Sequence, residues 1–167
     1  THRRIARMSK TPASPPATAV AMSGEPRRGS RYPAPHNAPC IGRAKYVLGD
    51  QFGLTQFGVN LAVIEPGSWS SQRHWHEKED EFIYVLEGEL VLVDDSGEHL
   101  LTPGMCAGFK AGNGNGHCLQ NRTDKRAVYL EAGSRQAGEK AHYSDIDMMA
   151  VSVDGNYRFV RKDGSPF

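Results

Sequence analysis

Short apolar stretches alternate with turn-forming residues along most of the chain. The stretches have the length of ordinary strands, and glycine, proline, asparagine or aspartate separates them about every eight to twelve residues. We interpret these stretches as strands: RAKYVLG (43–49), LTQFGVNLAVIEPG (54–67), FIYVLEGELVLVDD (82–95), HLL (99–101), MCAGF (105–109), HCLQN (117–121), AVYLEAG (127–133) and YRFVRKDGSPF (157–167). The break at Glu87-Gly88 indicates a β-hairpin. This spacing predicts an antiparallel sandwich or barrel.

Helix is expected to be scarce. The chain contains 18 glycines and 10 prolines, which favour many turns over long helices. One segment, DIDMMA (145–150), is predicted to form a helical turn. Because 167 residues suit one core of ordinary size, we expect an all-β protein with a single folded domain.

Charge divides the chain into two parts. Residues 1–31 carry seven basic side chains and one acidic one, whereas residues 32–167 are mildly acidic. A basic tail can contact nucleic acid or anionic lipid, but this mixture of proline, serine, alanine and arginine is more typical of disorder. We therefore predict a disordered N-terminal extension over residues 1–31 and a domain over residues 32–167, with neither nucleic acid nor membrane as a partner.

The segment TPASPPATAVAM (11–22) lacks the continuous apolar run of a secretion signal, and no stretch is as apolar as a membrane span. The three cysteines are far apart and form no C-x-x-C pair, so reduced thiols are expected. These features predict a cytoplasmic protein.

Candidate chemistry is concentrated in RHWHEKEDEFIYVLEG (73–88). In a strand, His74 and His76 point to the same side, with Cα atoms about 6.5–7 Å apart. An acid at the start of the next antiparallel strand reaches the same point, and alternation favours Glu81 over Asp80. His117 is the natural fourth ligand. An isolated H-x-H pair also occurs by chance, and the acidic residues around it would equally suit a solvated loop.

The spacing of these residues resembles the first motif of the cupin superfamily. The order is Gly67, six residues, His74-Trp75-His76, four residues, Glu81, six residues and Gly88. The first gap is one residue longer than the usual pattern.

The second cupin motif is matched less closely. Its order here is Gly104, five residues, Lys110-Ala111-Gly112, four residues, His117, three residues and Asn121. Lysine replaces the usual proline and the loop is two residues longer. GLTQFGVNL, SSQRHWHEKEDEFIYVLEGE, NGHCLQN and RKDGSPF are similar to a bacterial group of small single-domain cupins, some of which carry a provisional sugar-phosphate isomerase label.

The resemblance implies a jelly-roll barrel, the double-stranded β-helix, with few short helices, usually dimeric and with a metal at one end. Three imidazoles and one carboxylate suit one divalent transition metal per chain, Fe, Mn, Ni or Zn. Cys118 faces away from His117 in an extended strand, so it is excluded as a ligand. A six-coordinate metal would keep two positions free for substrate.

Alternation also predicts which side chains face a substrate cavity. The candidates are Gln72, Ile83, Val85, Leu119 and Asn121, with Lys110 beside the loop that carries His117. This set predicts a mostly apolar cavity for a small organic molecule. It contains no cluster of arginine or lysine that would bind a phosphate.

Three functions are compatible with this site. The first is a metal-dependent enzyme of isomerase or lyase type that acts on a small oxygenated substrate, with the metal as Lewis acid. The second is an Fe(II)-dependent dioxygenase, and the third is a non-catalytic binding or sensing module. The cupin fold hosts all three, so the resemblance does not select the reaction.

We expect the protein to be a homodimer, because the chain has spare aromatic side chains and terminal segments able to cross onto a partner. These aromatic residues are Phe52, Phe57, Trp69 and Trp75. Light scattering at micromolar concentration should give twice the mass of the chain. A monomer mass would contradict this expectation.

Overall fold

The structure, a computed structural model, describes residues 14–167 of the chain. Its strands are β1 (Arg27–Arg28), β2 (Arg43–Val47), β3 (Phe57–Ile64), β4 (His74–His76), β5 (Glu81–Glu87), β6 (Leu90–Asp94), β7 (Gly97–Leu101), β8 (Cys106–Phe109), β9 (Cys118–Gln120), β10 (Ala127–Ser134), β11 (Lys140–Tyr143), β12 (Met149–Val153) and β13 (Asn156–Val160). The helices in this part of the chain are a 3-10 turn at Ala38–Cys40 and the short α1 (Leu48–Gln51). No helix between residues 14 and 167 is long and apolar enough to cross a membrane.

The all-β prediction is confirmed, whereas the helical turn predicted at residues 145–150 is wrong. The chain bends after β11 and returns directly as β12, which pairs with β11 through Ala141 and Ala150. Met148 is fully buried at this reversal and packs in a cluster with Tyr143. Burial of Met148 and strand pairing therefore override the local helical preference.

Part of the basic N-terminal segment takes part in a sheet. Strand β1 pairs antiparallel with β2, where Arg27 lies opposite Lys45 and Arg28 opposite Ala44. Ordered structure thus begins before residue 32. The disorder predicted for residues 1–13 lies outside the described residues.

The strands form three antiparallel sheets. A large sheet has the order β1-β2-β3-β10-β5-β8, a four-stranded sheet has the order β13-β12-β11-β4, and a three-stranded sheet has the order β7-β6-β9. Strands distant in sequence, such as β3 and β10, are neighbours in the large sheet. This arrangement brings β4, β5 and the residues before β9 together, although three different sheets carry them.

The main core lies between the large sheet and the three-stranded sheet. It consists of apolar side chains that alternate along the strands: Ala62, Ile64, Ile83, Val85, Leu90, Leu92, Leu101, Leu119, Ala127 and Tyr129. A second cluster joins the four-stranded sheet to Tyr32, which comes from the segment after β1. The core therefore fills one side of the barrel and leaves space next to the four-stranded sheet.

The opposite face of the large sheet is also apolar. Leu61, Val63 and Val128 are buried there. On β5 of the same sheet, Phe82, Tyr84 and Leu86 stand 44%, 39% and 48% exposed. Exposed apolar groups of this kind often mark contact surfaces, and the homodimer stays a prediction.

The hairpin of β6 and β7 offers a matched test of the core. Leu90 is fully buried, whereas Leu100, one pair away on β7, is 56% exposed. Leu90→Ala should lower the free energy of unfolding by about 2–5 kcal/mol because it leaves a cavity, while Leu100→Ala should change it by less than about 0.5 kcal/mol. Urea unfolding of the two variants measures the difference. Equal losses would contradict the placement of the core.

Candidate metal centre

Strand β4 directs two histidines to one side. The ring centroids of His74 and His76 are 5.0 Å apart. Trp75 between them points away and stacks on His142 of the paired strand β11, with centroids 4.4 Å apart. The alternation expected of an extended H-x-H segment is therefore present.

Glu81 and His117 reach the same point from two other elements. Glu81 begins β5, and its Oε2 lies 3.0 Å from Nε2 of His117 and 3.5 Å from Nε2 of His76. His117 precedes β9 and is tied to His74 by reciprocal backbone hydrogen bonds of 2.9 and 3.1 Å. The ligand atoms of His74, His76 and Glu81 all lie within 4.8 Å of one another, and His117 adjoins this group through Glu81. The structure thus brings together the four residues that the sequence singled out.

Glu81 shows that these residues fit a cation. Its Oε2 is buried and has no hydrogen-bond partner among the described residues, although two imidazole nitrogens face it. A buried acceptor without a partner costs about 1–3 kcal/mol, and a charged one costs more. A divalent ion held by the carboxylate and the imidazoles would remove that cost, and this donor set is one that transition metals accept.

Two of the four candidate ligands have the protonation states that a metal site requires. Burial, reinforced by the positive field of His76, lowers the pKa of His74 to about 3. Burial alone would raise the pKa of Glu81, but the adjacent His117 and His76 outweigh it and hold that pKa below its usual range. At neutral pH His74 is therefore neutral and Glu81 is ionised.

Hydrogen bonds orient the two rings of β4. Nδ1 of His74 lies 2.9 Å from the carbonyl oxygen of Gln72, and Nδ1 of His76 lies 3.2 Å from Oε1 of Glu139. Both acceptors favour a proton on Nδ1, which leaves Nε2 free as a ligand. The His117 ring is positioned differently, by stacking on Phe109 at a centroid distance of 3.5 Å.

Glu139 is the residue that the sequence reasoning missed. Its side chain is fully buried, and besides facing His76 it accepts hydrogen bonds from the backbone amides of Glu77 at 3.0 Å and Lys78 at 2.8 Å. With Glu79 and His76 it forms a second group of close ligand atoms, but these backbone bonds already satisfy its carboxylate. No motif marks Glu139. Only the register of β11 on β4 brings it to His76.

A cavity of about 980 Å³ opens over the four residues. Of the residues predicted to line it, Ile83 and Leu119 do so. Lys110 lies instead beside a small second cleft, which is also bordered by Trp75 and by the candidate ligands His76, Glu81 and His117.

Three other predicted lining residues have structural roles, and these assignments are corrected. Val85 shares a face with Ile83 but is fully buried in the main core. Gln72 donates to the carbonyl oxygen of His36 at 2.7 Å. Asn121 donates to carbonyl oxygens of Ile64 and Lys125 at 2.8 and 2.7 Å. Alternation predicts the face of a side chain but neither its depth nor its partner.

The cavity surface is more apolar than polar, as expected, but the expectation that basic side chains are absent from it is wrong. Six cationic side chains line it: Arg27, Arg28, Arg31, Arg43, Lys45 and Arg135. Five acidic ones are interspersed: Asp50, Glu79, Glu81, Glu131 and Asp154. The basic residues come from the segment around β1, from β2 and from the end of β10, and none of these had been placed at the site from the sequence.

Two of the six cations have no partner in the described part of the chain. Arg43 donates to carbonyl oxygens of Gly29 and Ser70, and Arg27 and Arg135 both pair with Asp50. Arg28 and Arg31 make no side-chain hydrogen bond or ion pair within residues 14–167. Among the described residues, they are therefore the cations of this cavity that have no partner.

Comparison with known proteins supports this description. The cupin domain family model matches residues 60–133. A structure described as a sugar phosphate isomerase from the cupin superfamily of Silicibacter pomeroyi is 54% identical, with a TM-score of 0.83, over 87% of this chain and 92% of that one. A structure provisionally described as a sugar phosphate isomerase, from Acidithiobacillus ferrooxidans, is 28% identical, with a TM-score of 0.67, over 75% of this chain and 80% of that one.

The polyketide cyclase RemF from Streptomyces resistomycificus shares the fold alone, at 22% identity and a TM-score of 0.51 over 57% of this chain and 66% of that one. No curated protein matches the sequence. The antiparallel jelly-roll barrel, the two histidine-bearing motifs and the long match to the Silicibacter pomeroyi structure lead to one assignment: the chain belongs to the cupin superfamily.

Proposed function

We propose that this protein is a metal-dependent enzyme of isomerase or lyase type that acts on a small oxygenated substrate. His74, His76, Glu81 and His117 would hold one divalent ion, Fe, Mn, Ni or Zn. The observation that carries the proposal is the buried, unpartnered Oε2 of Glu81, which faces two imidazole nitrogens at a large cavity. When bound, the ion supplies Lewis acidity toward a carbonyl or hydroxyl group.

Residues of the chain offer the proton transfer that such a reaction needs. Glu79 and Tyr157 both line the cavity, and the Tyr157 hydroxyl donates to Oε2 of Glu79 at 3.2 Å. Burial raises the pKa of Glu79 and also that of Tyr157. A carboxyl group with a raised pKa beside a metal centre suits a general acid or base, and this pair favours an enzyme over a module that only binds.

A phosphorylated sugar is the substrate that we favour. Both relatives described above as sugar phosphate isomerases support this choice. With a divalent ion added, the six cationic and five acidic side chains of the cavity leave it positive. The guanidinium groups of Arg28 and Arg31, which have no partner within residues 14–167, have the planar donor geometry that binds phosphate.

The test is to supply the purified, metal-loaded protein with a panel of aldose and ketose phosphates and follow their interconversion by NMR. We expect interconversion of at least one pair. His76→Ala should lose both the metal and the activity, whereas His99→Ala, at a histidine whose side chain is 46% exposed, should retain both. Oxygen consumption coupled to substrate loss would favour the dioxygenase instead. Full metal content in His76→Ala would refute the site.

Glu139→Gln tests whether the hydrogen bond between His76 and Glu139 contributes to metal affinity. The amide keeps the size of the side chain but presents an NH₂ group to backbone donors or to His76, so His76 loses a well-placed acceptor. Metal affinity should fall about 10–100-fold, as measured by competition with a chelator. The control is Glu77→Gln, because the Glu77 carboxylate contacts His142 instead of the ligand rings. Unchanged affinity in Glu139→Gln would remove Glu139 from the centre.

A further inference from the structure

Four polar side chains form a cluster in the wall of the metal-site cavity, away from the histidines. The Glu131 carboxylate is its centre. Nζ of Lys45 lies 2.5 Å from Oε1, Nδ2 of Asn60 donates to Oε1 at 2.8 Å, and the Tyr129 hydroxyl donates to Oε2 at 3.1 Å. Strands β2, β3 and β10 supply these residues, and all four line the cavity.

Strand register places this cluster close to the metal ligands. Glu131 lies opposite Ile83, and Gly133 lies opposite Glu81, so Glu131 is the diagonal neighbour of Glu81. A strand spacing near 4.8 Å and a two-residue rise near 6.7 Å put their Cα atoms about 8 Å apart. One small ligand can therefore contact both the metal ligands and the cluster.

The cluster retains hydrogen-bonding capacity for a ligand. The Lys45 ammonium group has three N–H donors and one acidic partner, and the Lys45 and Glu131 side chains are 24% and 20% exposed. Both residues line the cavity. The carboxylate, held by three donors, is fixed in orientation and keeps an acceptor position free.

Folding alone does not account for the cluster. A largely buried Lys–Glu pair contributes little to stability, because desolvation of the two charges offsets their attraction. Apolar side chains would fill the same positions at least as well, as Ile83 and Ala62 do on the same face. A rigid arrangement of donors and acceptors in a cavity is instead the usual feature of a ligand subsite.

We propose that Lys45, Asn60, Tyr129 and Glu131 form a hydroxyl-binding subsite. It takes the polyhydroxylated part of a sugar-like ligand whose reacting end lies at His74, His76, Glu81 and His117. Each ligand hydroxyl donates to the carboxylate and accepts from the ammonium or amide group. This inference rests on the proposed function, because it concerns the substrate of the same cavity.

Matched unreactive probes test the subsite by isothermal titration calorimetry on the metal-loaded full chain. D-glucitol 6-phosphate has hydroxyl groups and a phosphate, hexyl phosphate has the same carbon length without the other hydroxyls, and inorganic phosphate is the third arm. We expect glucitol 6-phosphate to bind at least about tenfold more tightly than hexyl phosphate. Lys45→Met should abolish this preference, because it should weaken the binding of glucitol 6-phosphate more than that of hexyl phosphate.

Two further variants complete the experiment. Arg126→Met breaks an exposed ion pair with Glu87 outside the cavity and should keep the preference. Glu131→Gln should lose the preference for glucitol 6-phosphate. This variant replaces Lys45→Met in the experiment if Lys45→Met fails to fold or to retain metal. Equal binding of the two organic phosphates, no binding of any probe, or a preference that survives both cavity variants would overturn the subsite.

The outcome is separable from that of the proposed function, because glucitol 6-phosphate has no carbonyl group to isomerise. A preference that depends on Lys45, in a protein that turns over no sugar phosphate, supports the subsite and rejects the enzyme. Turnover by the wild-type chain without any such preference rejects the subsite alone.

Discussion

The arrangement of the candidate site depends on the hydrogen bonds that the buried carboxylate of Glu139 makes. A carboxylate removed from water must find donors, and here the amides of Glu77 and Lys78 and the ring of His76 surround it. These bonds fix the turn after β4 against the start of β11. They also direct Nε2 of His76 toward Glu81. The pairing of β4 with β11 therefore determines, through this one carboxylate, how the His76 ring is oriented.

The cavity above this centre has two chemically different parts. Around the histidines, burial and the field of His76 keep His74 neutral, and the rings of Tyr143 and Phe109 stack on His74 and His117. Toward the large sheet, the wall carries ion pairs and amide groups, and the segment around β1 adds the guanidinium groups of Arg28 and Arg31. A ligand that suits both parts has an oxygen function at one end, hydroxyl groups along its length and a negative charge.

The cupin fold does not by itself specify this ligand, since the polyketide cyclase RemF has a similar barrel. In this chain, side chains on the inner face of the large sheet supply the polar part of the cavity wall. Asn60 and Glu131 lie on β3 and β10, which the main core also uses, and Lys45 lies on β2, which pairs with β3. The scaffold that holds the barrel together therefore also positions the polar wall. The subsite is consequently built on rigid elements, as precise recognition requires.

The local alternation of side chains along the sequence was enough to predict most of the strands and part of the candidate site. Alternation placed His74 and His76 on one side, favoured Glu81 over Asp80, and predicted most strands within a few residues, because side-chain direction in a strand depends only on position along it. The spacing of the two motifs additionally predicted His117 as a ligand and the cupin fold. Tertiary structure decided the rest. Pairings between strands distant in sequence bring Glu139 to His76, and they bring the Lys45–Glu131 pair and the arginines near β1 to the cavity. Register of this kind, like the burial depth that removes Val85 from the cavity wall, is set by packing of the whole barrel, and no short stretch of sequence contains it.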